Sequence, residues 1–119
     1  MLIKRIVCKV DAANAEAFAK AQLQWGALSH VNGFIKQAGR WRKTADGLFT
    51  AEIISVWENR AAYDHFMENE HDSIYEENEQ KTVILSIEVK LYEESEQYIH
   101  SLLHNSDIRY EPDWTVLKA

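Results

Sequence analysis

The sequence contains very little cysteine, proline or glycine: its 119 residues include one Cys, one Pro and four Gly. A lone cysteine, Cys8, cannot form a disulfide within the chain, so we expect a reducing, cytoplasmic location. Cys8 falls inside a strand pattern, and we expect it to be buried and structural rather than reactive. There is no repeat, low-complexity segment or linker, and the length indicates a single domain.

Basic runs and long apolar runs are also absent. The net charge is −6, from 13 Lys and Arg against 19 Asp and Glu, which argues against a nucleic-acid or anionic-membrane surface. No apolar run approaches the ~18 residues of a membrane-spanning helix, and the first residues lack the apolar core of a signal peptide. P-loop, GxGxxG, GxSxG and CxxC motifs are missing, so nucleotide, dinucleotide, serine-hydrolase and dithiol chemistry lack support.

The apolar periodicity predicts the element order β-α-β-β-α-β followed by a tail. The first strand is Leu2–Val10, where alternation is clear. Asp11 or Asn14 can cap the helix that follows, and Gly33 after Asn32 can end it in a left-handed conformation. One face of that helix carries apolar residues at a 3.6-residue period: Phe18, Ala21, Trp25 and Leu28.

The central feature is a hairpin from Gly33 to Trp57, with a turn signal at Asp46-Gly47. A second helix, Arg60–Asn69, begins after the cap Asn59, and a short helical turn is expected through 72–78. The last strand, Lys81–Glu93, alternates without a break and should have one dry face. A further helix over 94–104 and an arm over 107–119, lying on the protein or on a partner, complete the chain.

This order is that of the ferredoxin-like split βαβ fold, of the α+β class, with both helices on one face of an antiparallel sheet. The second hairpin strand is apolar on both faces, so its helix-free face also needs a cover. We expect a second copy of the chain to supply it, giving a homodimer with two sheets stacked into a barrel. Residues 1–93 would form the main unit, and 94–119 a helix and arm of the same domain.

One stretch resembles a known family. The residues Val56-Trp57-Glu-Asn-Arg-Ala-Ala-Tyr-Asp-His65-Phe66-Met-Glu-Asn-Glu-His71 are similar to the strand-to-helix signature of the dimeric α+β barrel superfamily, which includes antibiotic-biosynthesis-type monooxygenases. Gly33-Phe34 resembles the start of its second strand. The resemblance covers about residues 1–91, whereas the tail is closer to a small group found mainly in Bacillus-like bacteria. It implies the fold more specifically than the chemistry.

The resemblance singles out His71, which coincides with a recurrent histidine of that superfamily. Imidazole titrates near neutrality, so His71 could carry protons at a cleft between the second helix and the sheet. Trp25, Trp57 and Phe66 could form aromatic walls for a flat ligand, with Tyr63 and Trp41 as further candidates. The alternatives are a helix-end histidine favoured by the helix dipole and aromatic residues that belong only to the core.

The remaining candidates have simpler interpretations. His65 should point away from the apolar face of its helix. Arg5, Arg40 and Arg42 could hold a substrate carboxylate, although pairing with a glutamate is the commoner role. His100 and His104, four residues apart and aligned with Glu96, have a spacing that can bind zinc but lack a further ligand. We therefore expect no metal and no cofactor; the haem-degrading branch is discounted because its Asn, Trp and His positions do not match.

Three functions remain open. The first is a monooxygenase-like enzyme that oxidises a small aromatic or polyketide-like molecule without a cofactor, using His71 as acid and base. The second is a non-catalytic or stress-response module that binds a small hydrophobic molecule. The third is a structural interaction protein. A solvent-accessible cavity beside His71 would favour the first two, and a cleft filled by Trp and Tyr side chains would favour the third.

Overall fold

The computed structural model describes residues 1–43, 48–71, 84–104 and 108–119. In them, the chain forms an antiparallel sheet with the strand order β4-β1-β3-β2-β5. The bounds of the strands are β1 Leu2–Val10, β2 Phe34–Lys43, β3 Phe49–Trp57, β4 Ile84–Glu93 and β5 Val116–Leu117. The helices are α1 Ala15–Gln22, α2 Arg60–Asn69 and α3 Glu96–Leu103, and α1 continues as a 3₁₀ segment, Leu23–His30. The predicted ferredoxin-like α+β order is confirmed.

Local signals explain where the helices begin and end. The Asp11 carboxylate accepts a hydrogen bond from the amide of Ala13 and caps a 3₁₀ turn that leads into α1. The Asn59 side chain caps α2 in the same way, through the amide of Ala62. Gly33 has a φ of +82°, as the sequence predicts, and its backbone lies against Ala62, so a side chain there would be both strained and crowded.

One face of the sheet packs against α2 and the 3₁₀ segment. This core contains the predicted helix residues Trp25 and Leu28, together with Phe34, Trp57 and Phe66. A neighbouring cluster forms at the other end of the same face, where Phe18 and the buried Cys8 meet residues of β3 and the C-terminal arm. Because side chains alternate along a strand, the even-numbered residues of β1 all face this side.

The opposite face of the sheet is covered differently from our expectation. Part of it is apolar, and α3 of the same chain covers that part, with Ile99 packing against Ile3, Ile54 and Val56. Since the chain covers these residues itself, their burial does not require a second copy. Dimerisation stays a prediction.

The rest of this face is polar and centres on the buried carboxylate of Glu52. Its oxygens accept hydrogen bonds from Arg40 Nε at 3.0 Å and Arg42 Nη1 at 3.3 Å, and from Arg5. Burial by itself would raise the pKa of Glu52, but the hydrogen bonds from Arg5 and Arg40 outweigh it and the pKa is lowered. The arginines thus have the structural role that was the simpler of the two interpretations.

The C-terminal arm lies on its own subunit. Trp114 is buried between Phe18 and Trp41, with ring centroids 5.8 and 5.0 Å away. Val116 and Leu117 then pair with β2 as a short edge strand. Gly39 of β2 leaves room for this contact, because a Cβ there would lie 2.6 Å from the Trp114 ring. Of the two positions expected for the arm, the described residues occupy the one on the protein itself.

Within a single chain, most of the described part of β4 lacks the dry face that its alternation predicts. Leu85, Ile87 and Val89 point to the α2 side of the sheet but are 57, 51 and 47 % exposed. β4 is an edge strand, and the layer formed by α2 and the 3₁₀ segment covers only its Leu91 end, so these three side chains stay exposed in the single chain. The predicted Asp46-Gly47 turn and the helical turn at 72–78 lie outside the described residues.

Candidate functional site

A cavity of about 210 Å³ lies between the sheet and the layer formed by α2 and the 3₁₀ segment. It opens towards the exposed apolar row of β4, since Ile87 and Val89 form one side of it. The four site residues predicted from the sequence all line this cavity: Trp25, Trp57, Phe66 and His71. Residues that are up to 46 positions apart in the sequence therefore meet at one place.

The aromatic walls pack against one another. Trp57 and Phe66 lie with ring centroids 5.1 Å apart, and Tyr63 meets the edge of Trp57 at 5.7 Å. His71 lies shortly after α2, with its ring 5.6 Å from Trp25 and 5.9 Å from Phe66. This arrangement holds the imidazole at the cavity and gives the cavity flat apolar walls.

The floor of the cavity contains a row of polar side chains that the sequence analysis missed. Lys4, Ser55 and Gln37 are cross-strand neighbours on β1, β3 and β2, and all three are buried. The Ser55 hydroxyl also accepts a hydrogen bond from Trp57 Nε1 at 3.1 Å. We call these three residues the polar row. Cross-strand neighbours lie ~5 Å apart, so the row spans about 10 Å of an otherwise apolar floor.

Lys4 is the unusual member of the row because a lysine is rarely buried without a carboxylate. Its side chain is only 7 % exposed, and no Asp or Glu among the described residues forms an ion pair with it. Its Nζ lies 3.6 Å from the sulfur of Met67 and 5.0 Å from the centre of the Tyr63 ring, which are weak partners for a cation. Burial lowers the pKa of Lys4 to about 8.

A signal for Lys4 was present in the sequence. The residues of β1 that share its parity are Leu2, Ile6, Cys8 and Val10, all apolar, so a lysine at position 4 has to enter the covered face. The predicted alternation of β1 is correct, and it implies that Lys4, the one charged residue of this apolar row, lies on the covered face of the sheet.

The other candidates lie away from the cavity. His65 is exposed on the outer side of α2, where it contacts Asn69. His100 and His104 stack with ring centroids 4.1 Å apart on the exposed side of α3. Across the described segments, no group of three or more His, Cys, Asp or Glu side chains is placed to hold a metal ion. Cys8 is fully buried, which raises the pKa of its thiol to about 12 and keeps it protonated.

Comparison with known families is decisive for residues 2–92, which match the family model of the domain of unknown function DUF4937. The chain belongs to this family. It is also 78 % identical to the uncharacterized protein YdbC of Bacillus subtilis, over the full length of both chains. The Bacillus-type relationship that the tail suggested is thereby confirmed.

Solved structures with the same fold are antibiotic-biosynthesis-monooxygenase-like α+β proteins. A point mutant of SnoaB, a cofactor-independent oxygenase from Streptomyces nogalater, superimposes with a TM-score of 0.62 at 16 % identity, covering 80 % of this chain and 93 % of SnoaB. A candidate antibiotic biosynthesis monooxygenase from Bacillus cereus gives 0.59 at 15 % identity, covering 81 % and 94 %. At these identities the likeness establishes the fold, which confirms the resemblance seen in the sequence.

Proposed function

We propose that this DUF4937 protein is a monooxygenase-like enzyme that oxidises a small aromatic molecule in the cavity between α2 and the sheet. The observation that carries the proposal is the cavity itself, which lies beside His71 and is bounded by Trp25, Trp57 and Phe66. The fold shared with SnoaB, a cofactor-independent oxygenase, is consistent with oxidation that needs no cofactor.

The chemistry requires a substrate that can supply electrons itself. A methylene group between a carbonyl and an aromatic ring is such a group, because loss of a proton gives a stabilised carbanion. His71 would remove that proton, and the carbanion would then react with O₂. One oxygen atom forms the new carbonyl, the other leaves as water with the two methylene hydrogens, and His71 returns its proton to the departing oxygen. The overall reaction, CH₂ + O₂ → C=O + H₂O, is balanced.

The size of the cavity limits the substrate. Its volume of about 210 Å³ is smaller than the ~300–1,000 Å³ that is usual for sites of drug-sized ligands. A molecule with one or two fused rings fits within the enclosed part, and a larger polyketide-like molecule would have to extend past β4. We therefore favour the small aromatic class.

The test is oxygen uptake with 2-tetralone, a two-ring ketone that has one methylene group of this kind. The wild-type protein should accelerate oxygen consumption and form the diketone, and His71→Ala should lower the rate by at least about 100-fold, which is typical of a lost general base. His65→Ala is the matched control, because this histidine is exposed on the outer side of the same helix.

A His71→Ala protein that retains the wild-type rate would contradict the assigned role. The alternative function, non-catalytic binding of a small hydrophobic molecule, is favoured by the predominantly apolar walls of the cavity. It predicts that 2-tetralone binds to both proteins and that neither consumes oxygen. The third function, a structural partner, is the least supported, because the aromatic side chains that the structure describes leave the cleft beside His71 open.

We also propose that the protein is a cytoplasmic homodimer and that residues 94–119 belong to the same domain as 1–93. The packing of Trp114 against Phe18 supports the single domain, and the lone buried Cys8 supports the reducing location. No helix in the described part of the chain is long and apolar enough to cross a membrane.

Of the surfaces that the described residues form, we assign the exposed apolar row of the edge strand β4 to the contact with a second copy. Light scattering should give twice the mass of the 13.8 kDa chain, and Leu85→Arg should halve that value. Ser86→Arg, which places the same charge on the other face of β4, should leave the dimer intact. A wild-type protein that is monomeric at micromolar concentration would contradict the proposal.

A further inference from the structure

The polar row points to a more specific ligand than the aromatic walls alone. Lys4 is buried, and it projects from the interior strand β1 into the cavity. Within the described ranges, its closest polar contacts are a thioether and an aromatic face, neither of which can neutralise an ammonium group. A buried cation of this kind is stabilised when a ligand brings a negative charge into contact with it.

The neighbours of Lys4 indicate which anionic group would fit beside it and how that group would be oriented. Ser55 and Gln37 continue the polar row across β3 and β2, so hydrogen-bonding groups run along the floor while the walls above are aromatic. Gln37 has amide N–H groups that can donate to a second ligand oxygen. A carboxylate, with two oxygen atoms on a planar group, matches this combination of one ammonium and one amide.

The charged and titratable groups around the site agree with an anionic ligand. Among the described residues, the titratable groups that line the cavity with Lys4 are Tyr63 and His71 from the α2 side. The polar residues that the other described elements contribute are neutral: Gln22, Gln37 and Ser55. Burial raises the pKa of Tyr63, so this phenol stays neutral near pH 7. The acidic residues of α2 that the structure describes, together with the residue that follows it, are all exposed and do not line the cavity: Asp64, Glu68 and Glu70.

We propose that this cavity binds flat aromatic acids of one or two rings, with the acidic group of the ligand held by Lys4 and Gln37 and its rings held by Trp25, Trp57 and Phe66. The inference rests on the proposed function in that it uses the same cavity, and it narrows the ligand from aromatic molecules in general to aromatic anions. For an oxidised substrate, the same ammonium would stabilise negative charge as it develops on the carbonyl oxygen.

The test compares two ligands of the same shape and different charge, 2-naphthoate and 2-naphthamide, by calorimetric titration of the full-length protein at pH 7. The wild-type protein should bind the anion at least about tenfold more tightly than the amide, as expected for one charge-assisted hydrogen bond in a desolvated site. Lys4→Met should abolish or reverse that preference. Lys9→Met is the matched control, because Lys9 lies on the same strand but on its other face, and it should keep the preference.

A second variant guards against a folding artefact. Lys4→Gln keeps a polar side chain and removes only the charge, so it too should lose the preference while its thermal transition stays cooperative. Equal affinity for the two ligands in the wild-type protein, failure of 2-naphthoate to bind, or a preference that survives in both Lys4 variants would overturn the inference.

The outcome is separable from that of the proposed reaction. A protein that binds 2-naphthoate through Lys4 but consumes no oxygen with 2-tetralone retains the inference and loses the oxidation. Oxygen uptake that depends on His71, with no discrimination between naphthoate and naphthamide, would retain the oxidation and overturn the inference.

Discussion

Replacing Lys4 by methionine should make the protein more stable at neutral pH. Methionine is unbranched, of similar length and apolar, so it can fill the same space without a buried charge. The pKa of Lys4 falls from 10.5 to about 8 on folding because burial disfavours the charged form. At ~1.4 kcal/mol for each tenfold change in proton affinity, keeping Lys4 protonated in the folded state costs about 3 kcal/mol. We expect Lys4→Met to raise the free energy of unfolding by most of this amount.

The stabilisation should depend on pH in a direction that follows from the same shift. Between about pH 8 and pH 10.5 the unfolded chain binds a proton at Lys4 that the folded chain does not, so the contribution of Lys4 to stability rises with pH. The advantage of Lys4→Met is therefore fully present below about pH 8 and declines towards pH 10.5. Burial also raises the pKa values of Cys8 and Tyr63, so these groups contribute to the pH dependence of stability in the alkaline range. Both proteins contain them, and the difference between the two proteins cancels their effects.

The assay is urea unfolding of both proteins, without ligand, at several pH values from 7 to 10. Lys9→Met is the control, because it removes a lysine from the other face of the same strand, and we expect it to give no comparable gain in the free energy of unfolding. A Lys4→Met protein that is no more stable than wild type at pH 7, or an advantage that stays constant up to pH 10, would refute the reasoning.

Two further predictions concern the parts of the fold that hold the site in place. Glu52→Gln should lower the free energy of unfolding by about 3 kcal/mol, because it removes the buried charge that pairs with three arginines. Glu88→Gln, on the same face of the sheet, is the control and should change the free energy of unfolding by less than ~1 kcal/mol. Because folding lowers the pKa of Glu52 from 4.5, its contribution to the free energy of unfolding is present above about pH 4.5 and is lost as the pH falls further. Urea unfolding at pH 7 and pH 3 measures the loss in the variant and its dependence on pH. Trp114→Ala should cost ~3–5 kcal/mol and Gly39→Ala ~1–3 kcal/mol, because the first leaves a cavity between Phe18 and Trp41 and the second pushes a Cβ into the Trp114 ring. Melting temperatures that match wild type for both would contradict the docking of the arm.

The order of the elements and the meeting of the aromatic walls could be predicted because both depend on local patterns. Apolar alternation identified β1, a run that is apolar on both faces identified β3, and the capped pattern after Asn59 identified α2. The superfamily resemblance then placed His71 next to the sheet, where the structure also has it.

The cover of the second sheet face could not be predicted in the same way. Its apolar residues show that something must cover them, but periodicity does not say whether a partner or a later part of the chain does so. The structure assigns Ile3, Ile54 and Val56 to α3. Similarly, the alternation of β4 gives the side to which Leu85 points, whereas its exposure depends on how far α2 extends over the edge of the sheet.

Binding of a ligand in the cavity lined by Trp25 and Trp57 can be observed directly, because the chain has four tryptophans and only these two line the cavity among the described residues. The two others, Trp41 of β2 and Trp114 of the C-terminal arm, pack against each other and do not line the cavity. We propose a titration of the isotope-labelled protein with 2-naphthoate, followed by NMR of the indole N–H groups. The signals of Trp25 and Trp57 should shift while those of Trp41 and Trp114 stay in place. Shifts confined to Trp41 and Trp114, or no shift at any of the four, would contradict the account.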